Sequence, residues 1–506
     1  RTEAALWSLE TAVNIIEGIR AHLSDERFMS GFVQDKYLVY IDLVRLQLQL
    51  GHDSQAFSTA ERLRSRSYLD LIESGVTAGD DQDRLREFKL QSRIRTLREA
   101  LIAERDNNGP EQRQSAISVF SRELLAAEQE YQVFLDDRQG AETPSSPGQA
   151  PDYREVSAAL AEDEALVEYV VGRESLVFFL LTHDRLVANS VELRREDLDN
   201  KVALLSGLIR QRSNKRWKKP ASSLAQFLIE PMRATGLLSG IHHLYVVPHG
   251  SLNYLPFSLL PSHGSESSHR LVEDFTLAYL PTAIALSRSR TDSGLASSML
   301  AIAPAVSQLR FAREEASAVN ALFEPDSTAL LGQVATESAF KRLAPDYRLL
   351  HLATHGFFNK LSPLLSGVQL EADPFNDGRL ELHEILELEL NADLVTLSAC
   401  ETGLGSGYFA EVPAGDDYVG LTRAFLYAGS AMVLATLWEV DDASTLRLMK
   451  QFYGDLTEAG QGEDKNGALT RAQRALMSSE EYNHPYYWAP FVMVGHPPRA
   501  RRPSST

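Results

Sequence analysis

From residue 152 onward the chain alternates short, largely apolar runs with segments of helical pattern. Runs that are apolar throughout, rather than at every second position, are typical of parallel strands covered by helices on both faces. We predict strands at 165–171, 176–182, 243–247, 299–303, 348–353, 393–398, 431–436 and 491–494. The pattern therefore predicts an α/β fold with a mostly parallel sheet and helices on both faces. A polar, serine-rich stretch at 287–298 divides the region into two halves.

The part before residue 152 has the pattern of an all-α segment. Apolar residues recur at helical spacing from 3 to 72, and one helix ends at Gly51 before another begins. Small residues at Ala56 and Ala60 allow close packing of two helices. The segment resembles the end of a tetratricopeptide-type array, although a plain helical hairpin explains the pattern equally well.

A second helical region at 76–139 is rich in Glu, Arg, Leu and Ala and is interrupted by the turn sequence DNNGP at 106–110. We predict two long amphipathic helices that form a hairpin. Such an arm could carry a signal between the ends of the protein, or it could be a solvated spacer. Residues 140–151 concentrate Pro, Ser and Gly, and form the clearest linker.

Bulk properties exclude several functional classes. The net charge of −19 disfavours nucleic-acid binding, and no apolar run has the length of a transmembrane helix. The single cysteine cannot form an internal disulfide, and a reduced thiol indicates a cytoplasmic location. The chain begins at Arg1 with no initiator methionine or signal-like segment, so we expect a truncated or processed N-terminus.

Two predicted strands end in residues with catalytic chemistry. The sequence LLHLATHG at 349–356 contains His355, and the sequence LVTLSACETG at 394–403 contains Cys400. Functional groups of parallel sheets collect at the carboxyl ends of strands, so these two residues could face one crevice. His355 lies 45 residues upstream of Cys400, close to the spacing of about 50 residues in caspases.

This pair would supply a nucleophile and a base. A thiol is mostly protonated at neutral pH, and a neighbouring imidazole can activate it to attack a scissile carbonyl. By analogy with other acyl-transfer sites, the backbone N–H groups of Gly356 and Cys400 would stabilise the oxyanion. Taken alone, a cysteine in an apolar strand is more often a small core residue, and a lone histidine is more often structural.

Further motifs occur in a fixed order along the chain. They are LYVVP at 244–248, LPF at 255–257, HLATHG at 351–356, LSACETG at 397–403, GLTRAF at 420–425, LWEVDD at 437–442, FY at 452–453 and HPYYWAPF at 484–491. Together they resemble the CHAT domain, a relative of caspases and separases that often follows tetratricopeptide repeats. The resemblance covers nearly all of 152–496 and implies a caspase-like α/β fold with a His355–Cys400 dyad.

The resemblance also implies a division of the α/β region into a pseudo-protease half and a catalytic half. We therefore expect tetratricopeptide-like helices at 1–75, a helical hairpin at 76–139, a linker at 140–151, the pseudo-protease half at 152–290, the caspase-like half at 291–497 and a tail at 498–506.

Other catalytic interpretations fit the sequence poorly. His351 and His355 do not form the helical zinc motif, because Leu352 follows the first histidine and the context is a strand. The sequence GLGSGY at 403–408 has tyrosine where a dinucleotide loop needs its third small residue, so we interpret it as an active-site loop. The chain has neither a P-loop nor a G-x-S-x-G elbow, and we expect no metal and no cofactor.

Two consecutive carboxylates are candidates for substrate binding. Asp441 and Asp442 follow the strand predicted at 431–436. In separases an Asp matching Asp442 receives a basic P1 side chain, which implies cleavage after Arg or Lys. A helix N-cap explains the same residues equally well. The loop at 404–415, before Asp416 and Asp417, is longer than usual for the family, which leaves the shape of the pocket open.

The sequence thus predicts a cysteine endopeptidase regulated through its helical segment by a protein partner. The resemblance suggests a bacterial defence or cell-death pathway, with a gasdermin-like protein as one substrate class. Two alternatives remain, a catalytically silent scaffold and a peptide-binding adaptor. The basic run RQRSNKRWKK at 210–219 fits a solvated loop better than a nucleic-acid or cleavage site.

Overall fold

A computed structural model of the chain describes residues 2–20, 26–73, 86, 90, 93–94, 96–97, 110–139, 152–264, 267–287, 298–305, 311–359, 365–400, 417–458 and 464–497. The predicted linker at 140–151, the loop at 404–415 with Asp416, and the tail at 498–506 lie outside the described residues. Most of the predicted hairpin between 76 and 109 does so as well.

The N-terminal segment contains four long helices among the described residues. They are α1 (Thr2–Arg20), α2 (Glu26–Gln49), α3 (Asp53–Glu73) and α4 (Pro110–Gln139). The predicted break at Gly51 is present, where a φ of 75° reverses the chain and the His52 N–H donates to the Gln47 carbonyl. Glycine adopts this left-handed conformation without the steric cost of a side chain.

The remaining described chain alternates strands and helices, as predicted. The strands are β1 (Glu164–Val171), β2 (Ser175–Leu181), β3 (Leu186–Glu192), β4 (His243–Val247), β5 (Thr276–Tyr279), β6 (Met299–Ala303), β7 (Ser327–Leu331), β8 (Leu349–Phe357), β9 (Gly367–Gln369), β10 (Arg379–Glu381), β11 (Leu394–Cys400), β12 (Met432–Thr436) and β13 (Phe491–Gly495). The helices are α5 (Tyr153–Ser157), α6 (Arg195–Ile209), α7 (Lys218–Leu228), α8 (Glu230–Ala234), α9 (Leu271–Asp274), α10 (Ala312–Ala321), α11 (Glu337–Leu343), α12 (Leu382–Leu386), α13 (Asp417–Tyr427), α14 (Asp442–Glu458), α15 (Lys465–Met477) and α16 (Pro485–Trp488).

All thirteen strands belong to one sheet. Strands β7, β6, β8, β11 and β12 lie side by side and run parallel, while β13 pairs antiparallel with β12. On the other side, β5, β4 and β1 are parallel, and β2 and β3 complete the edge in antiparallel pairs. A parallel pairing at Val494 and Tyr279 joins the two groups. The predicted α/β class with a mostly parallel sheet is confirmed.

Each of the eight predicted strands is present, with ends shifted by at most a few residues. The other five were missed for identifiable reasons. The outer edge strand β3 exposes polar residues such as Asn189, so it lacks an apolar run. The strands β5, β9 and β10 are only three or four residues long, which is too short for a periodic signal, and β7 is only partly buried along its whole length.

The N-terminal helices pack against one face of the first half of the sheet. An apolar cluster combines residues of α1, α2 and α3 with residues of β1, β2, β4 and β5. At its centre Phe57 of α3 is fully buried, and its ring meets that of Phe179 edge-on with centroids 5.6 Å apart. The helical segment is therefore part of the same hydrophobic core as the sheet, because burial of aromatic surface dominates such packing.

A buried charge cluster fixes the register of this packing. The Arg64 Nε of α3 lies 3.1 Å from the Glu168 carboxylate of β1, and Arg64 Nη1 donates to the Pro248 carbonyl at 2.7 Å. One turn earlier, the Glu61 carboxylate accepts the N–H groups of Ala283 and Ile284, each at 3.0 Å. Burial raises the pKa of both Glu61 and Glu168. Breaking such a buried pair leaves an uncompensated charge, so α3 can pack on the sheet in only one position.

Replacement of Phe57 by alanine tests this shared core. We expect Phe57→Ala to lower the free energy of unfolding by about 3–5 kcal/mol, because a large ring leaves a cavity. Urea denaturation of the whole chain measures the change. Trp7→Ala is the control, since Trp7 is 69% exposed and should change stability by less than about 0.5 kcal/mol. Equal effects of the two substitutions would contradict the shared core.

We expect the partly buried His249 to make the free energy of unfolding fall at acid pH. Its Nδ1 accepts the Val171 N–H at 3.0 Å, and burial, with Arg64 and Arg195 nearby, holds the pKa of His249 well below its usual value. Below the unfolded pKa of about 6.5 the unfolded chain binds the extra proton, so stability falls as pH decreases. We expect the urea midpoint to drop less between pH of about 7.5 and about 5.5 in His249→Asn than in the wild type. Parallel drops in both proteins would refute the assignment.

Candidate active site

The two sequence-predicted catalytic residues lie on neighbouring parallel strands. In the β8–β11 register, His355 is paired with Cys400, the last residue of β11. Adjacent strands are about 4.8 Å apart, so the two backbones are close at the carboxyl edge of the sheet. The side chain of Cys400 lies outside the described residues. The structure thus brings the two positions together, as the strand-end argument predicted.

The local environment changes at His355. Residues 349–354 of β8 are fully buried, whereas His355 is partly exposed where the strand leaves the covered core. Its Nε2 is buried, and among the described residues it has no hydrogen-bond partner. Buried polar atoms are nearly always paired, so this nitrogen is a candidate to bind a group outside the described residues.

Gly356 lies in the short antiparallel ladder that β9 forms with the end of β8, opposite Val368. The next pair joins Phe357 to Gly367. A Cβ at Gly367 would overlap the Leu380 carbonyl, so only glycine allows β10 to approach this closely. The hairpin of β9 and β10 therefore lies beside the last two residues of β8, directly after His355.

His351, four residues before His355, has a different environment. Its Nε2 lies 3.0 Å from a Glu315 carboxylate oxygen of α10, and its Nδ1 lies 3.3 Å from the Tyr453 hydroxyl of α14. The same hydroxyl shares a 2.6 Å hydrogen bond with Thr396 of β11. All four side chains are buried. His351 is thus occupied by a structural network, and the network ties β8 to β11 just below the candidate dyad.

Sequence reasoning missed the partners of His351. The motif at 452–453 contained Tyr453, but nothing in the sequence showed that its hydroxyl would bridge two strands. Burial raises the pKa of the Tyr453 phenol, so the hydroxyl stays protonated and can donate one hydrogen bond. The signal that could have found the network is a run of polar residues at same-face positions of two adjacent apolar strands.

The two candidate carboxylates differ in their contacts. The Asp441 carboxylate accepts the Ser444 N–H at 3.1 Å, which caps α14. It also forms an ion pair with Arg212 at 3.2 Å. The Arg212 guanidinium lies over the Tyr486 ring, 4.5 Å from its centroid. Asp442 is the first residue of α14 and is partly buried. Arg212 belongs to the basic run predicted as a solvated loop, and it links that loop to the start of α14 and to α16.

Among the residues that the structure describes, one group could hold a metal ion, and it lies far along the chain from the dyad. His263 and His269 each have a ring nitrogen within 3.1 Å of the Asp274 carboxylate. Arg233 forms an ion pair with the same carboxylate at 2.8 Å, so a cation already occupies that position. No helix among all the described residues has the length and apolar character needed to cross a membrane.

Comparison with known proteins gives a family match. The CHAT domain family matches residues 218–496, more than half of the chain. Tetratricopeptide repeat protein 28 of Mus musculus is 25% identical over 99% of this chain and 24% of its own length. The Homo sapiens protein of the same name is 24% identical, with the same coverages. The chain thus spans about a quarter of the length of these curated relatives.

Among solved structures, a separase-securin complex and a cysteine proteinase resemble the chain. The Saccharomyces cerevisiae separase-securin complex at 2.6 Å has a TM-score of 0.49 and 12% identity, covering 97% of this chain and 41% of that chain. The Arg specific cysteine proteinase gingipain R has a TM-score of 0.37 and 12% identity, covering 59% of this chain and 68% of that chain.

We expect the buried network around Tyr453 to stabilise the fold, independently of any catalytic role of His355 and Cys400. We expect Tyr453→Phe to lower the free energy of unfolding by about 1–3 kcal/mol, because His351 and Thr396 lose a buried partner. Urea denaturation measures the effect, and Tyr153→Phe, at a partly exposed tyrosine, should stay within about 0.5 kcal/mol. A Tyr453→Phe protein as stable as the control would contradict the role of the hydroxyl.

Proposed function

Because the chain belongs to the CHAT domain family, we propose that it is a cysteine endopeptidase with a His355–Cys400 dyad. The observation that carries the proposal is the pairing of these two positions on adjacent parallel strands. Cys400 is the nucleophile that attacks the scissile carbonyl, and His355 accepts the thiol proton and later donates a proton to the leaving amine.

The register supports a shared face for the dyad. Side chains of a strand alternate between faces, so position 355 shares a face with His351, and position 400 shares one with Thr396. The side chains of His351 and Thr396 meet at the Tyr453 hydroxyl, on the side of the sheet covered by α10 and α14. Four residues further along both strands, the dyad positions follow on that same face. The unpaired Nε2 of His355 is then available for a thiol proton.

The same edge supplies groups for the developing charge. In the proposed mechanism, the backbone N–H groups of Gly356 and Cys400 donate to the oxyanion. Gly356 is well suited because no side chain obstructs the approach of a peptide carbonyl, and the β9 ladder holds its backbone in place. Such preorganised donors need no rearrangement when the charge appears.

Specificity is proposed for basic P1 residues. Asp441 accepts a hydrogen bond from the Arg212 guanidinium, so its carboxylate can bind an arginine side chain at this position. Asp442, next in sequence, begins α14 at the same end of β12 and is the second candidate. A substrate arginine or lysine would either displace Arg212 or pair with Asp442.

The biological setting follows from the resemblance alone. We propose a protein substrate, with a gasdermin-like pore former as one class, and a protein partner that acts through the helical segment. A cytoplasmic location and a role in bacterial defence or cell death complete the proposal. Binding of nucleic acid is not part of it, because the net charge of −19 opposes contact with phosphates.

Incubation of the purified chain with a mixed peptide and protein library tests the activity. We expect cleavage after Arg or Lys, with site identities read by mass spectrometry. Cys400→Ala and His355→Ala should each lose at least about a thousandfold in kcat/KM, because each removes a partner of the dyad.

The control for this assay is His52→Ala, since His52 is an exposed residue of the helical segment and should cleave like the wild type. Cleavage that survives in Cys400→Ala would refute the dyad. Cleavage after Leu or Asp would refute the binding of a basic P1 side chain by Asp441 or Asp442, while leaving the peptidase intact.

A scaffold is the second candidate function. The observation that favours it is the packing of α1, α2 and α3 into the core of the sheet, which presents helices as a rigid surface. Pull-down of a binding partner by the Cys400→Ala protein distinguishes the two candidates. A scaffold binds its partner and leaves it intact in both proteins, whereas a peptidase processes it only with Cys400 present.

A further inference from the structure

The helix α4 makes a small, buried contact with the catalytic half of the sheet. Its residues Ala127, Tyr131 and Phe134 form an apolar cluster with Leu90 and Ile94 of the helical segment and with Leu365. Leu365 lies between β8 and β9, so one side of this cluster belongs to the chain that follows His355. The contact joins parts of the protein that are far apart in sequence.

Tyr131 provides a directed interaction within this contact. Its hydroxyl lies 2.7 Å from the Nε2 of His383 in α12, across 252 positions of sequence. The two rings meet edge-on with centroids 5.3 Å apart, and only 1% of Tyr131 and 4% of His383 is exposed. A buried hydrogen bond of this kind constrains the relative orientation of α4 and α12 as well as their distance, because hydrogen bonds are directional.

His383 is connected to the end of β8 through a short series of contacts. Its Nδ1 lies 3.8 Å from the Glu381 carboxylate at the end of β10, and β10 pairs with β9. The β9 strand in turn pairs with Gly356 and Phe357. The Arg379 guanidinium of β10 lies 3.5 Å from the centre of the Phe357 ring. Movement of α12 would therefore shift the β9–β10 hairpin against the residues that follow His355.

A second contact from α4 reaches the residues that follow β8. The Glu128 carboxylate accepts the Asn359 side-chain amide at 3.3 Å, and the Asn359 N–H donates to the Ser366 Oγ at 2.9 Å. Glu128 and Tyr131 are three residues apart and share one face of α4. One helix face thus contacts both the residues after β8 and the helix after β10.

We propose that Glu128 and Tyr131 are positioning residues, through which α4 fixes the end of β8 and so aligns His355 and Gly356. The role in catalysis rests on the proposed peptidase function. A protein partner that moves α4 would change the alignment of the site without touching the dyad. The helical segment would then control the reaction through this buried face, rather than by covering the substrate cleft.

The double variant Glu128→Gln, Tyr131→Phe keeps the size of both side chains and removes the charge and the hydroxyl. The first readout is backbone hydrogen exchange of the whole chain, followed by mass spectrometry. We expect exchange in peptides covering 355–359 and 366–369 to become about tenfold faster, while peptides of β1 and β4 stay unchanged. The matched control is Gln129→Ala, at an exposed position of the same helix.

The second readout is cleavage of a peptide identified with the wild-type protein. We expect kcat to fall about tenfold with KM within about twofold, because misalignment affects the reaction step more than binding. His383→Gln, which keeps a hydrogen-bonding side chain, should retain more activity than His383→Leu.

The outcomes separate this proposal from the proposed function. Unchanged exchange at 355–359 in the double variant would overturn the positioning role, whether or not the wild type cleaves peptides. Faster exchange throughout the sheet would also overturn it, since it would show general destabilisation. Faster exchange confined to these peptides, in a protein with no peptidase activity, would support the structural coupling and refute the peptidase.

Discussion

The fixed register between β8 and β11 is the constraint on which the candidate site depends. A slip of one residue would place every side chain of a strand on the opposite face, so burial of a sheet specifies the register of its strands. The Tyr453 hydroxyl adds a specific link between the two strands, because it contacts His351 of one strand and Thr396 of the other. The pairing of His355 with Cys400 follows from this register.

The helical segment is bound to the sheet at two places with different consequences. Around Phe57 and Arg64 it belongs to the core of the first half, and it is held there by burial and by paired charges. Around Tyr131 it reaches the second half of the sheet, which carries His355, through a small contact. A small contact opens at a lower free-energy cost than a core. The second place is therefore the one where a partner could act.

Much of the fold could be predicted from sequence, and the limits have physical causes. Strands such as β6 and β12 were predicted because they are buried on both faces and apolar throughout. The short strands β9 and β10 were missed because tertiary pairing, of β9 with β8 and of β10 with β9, creates them rather than local pattern. The positions of His355 and Cys400 followed from strand ends. The contact of Tyr131 with His383 did not, since 252 residues separate them and neither has a motif.

Alkylation of the single cysteine tests the central claim most directly. Because the chain has one thiol, the rate of iodoacetamide addition measured by intact mass reports on Cys400 alone. If His355 activates Cys400, the wild type should react about tenfold faster than His355→Ala at pH of about 7, and the difference should vanish above pH of about 9, where thiols ionise unaided. Equal rates in the two proteins across this range would contradict the dyad.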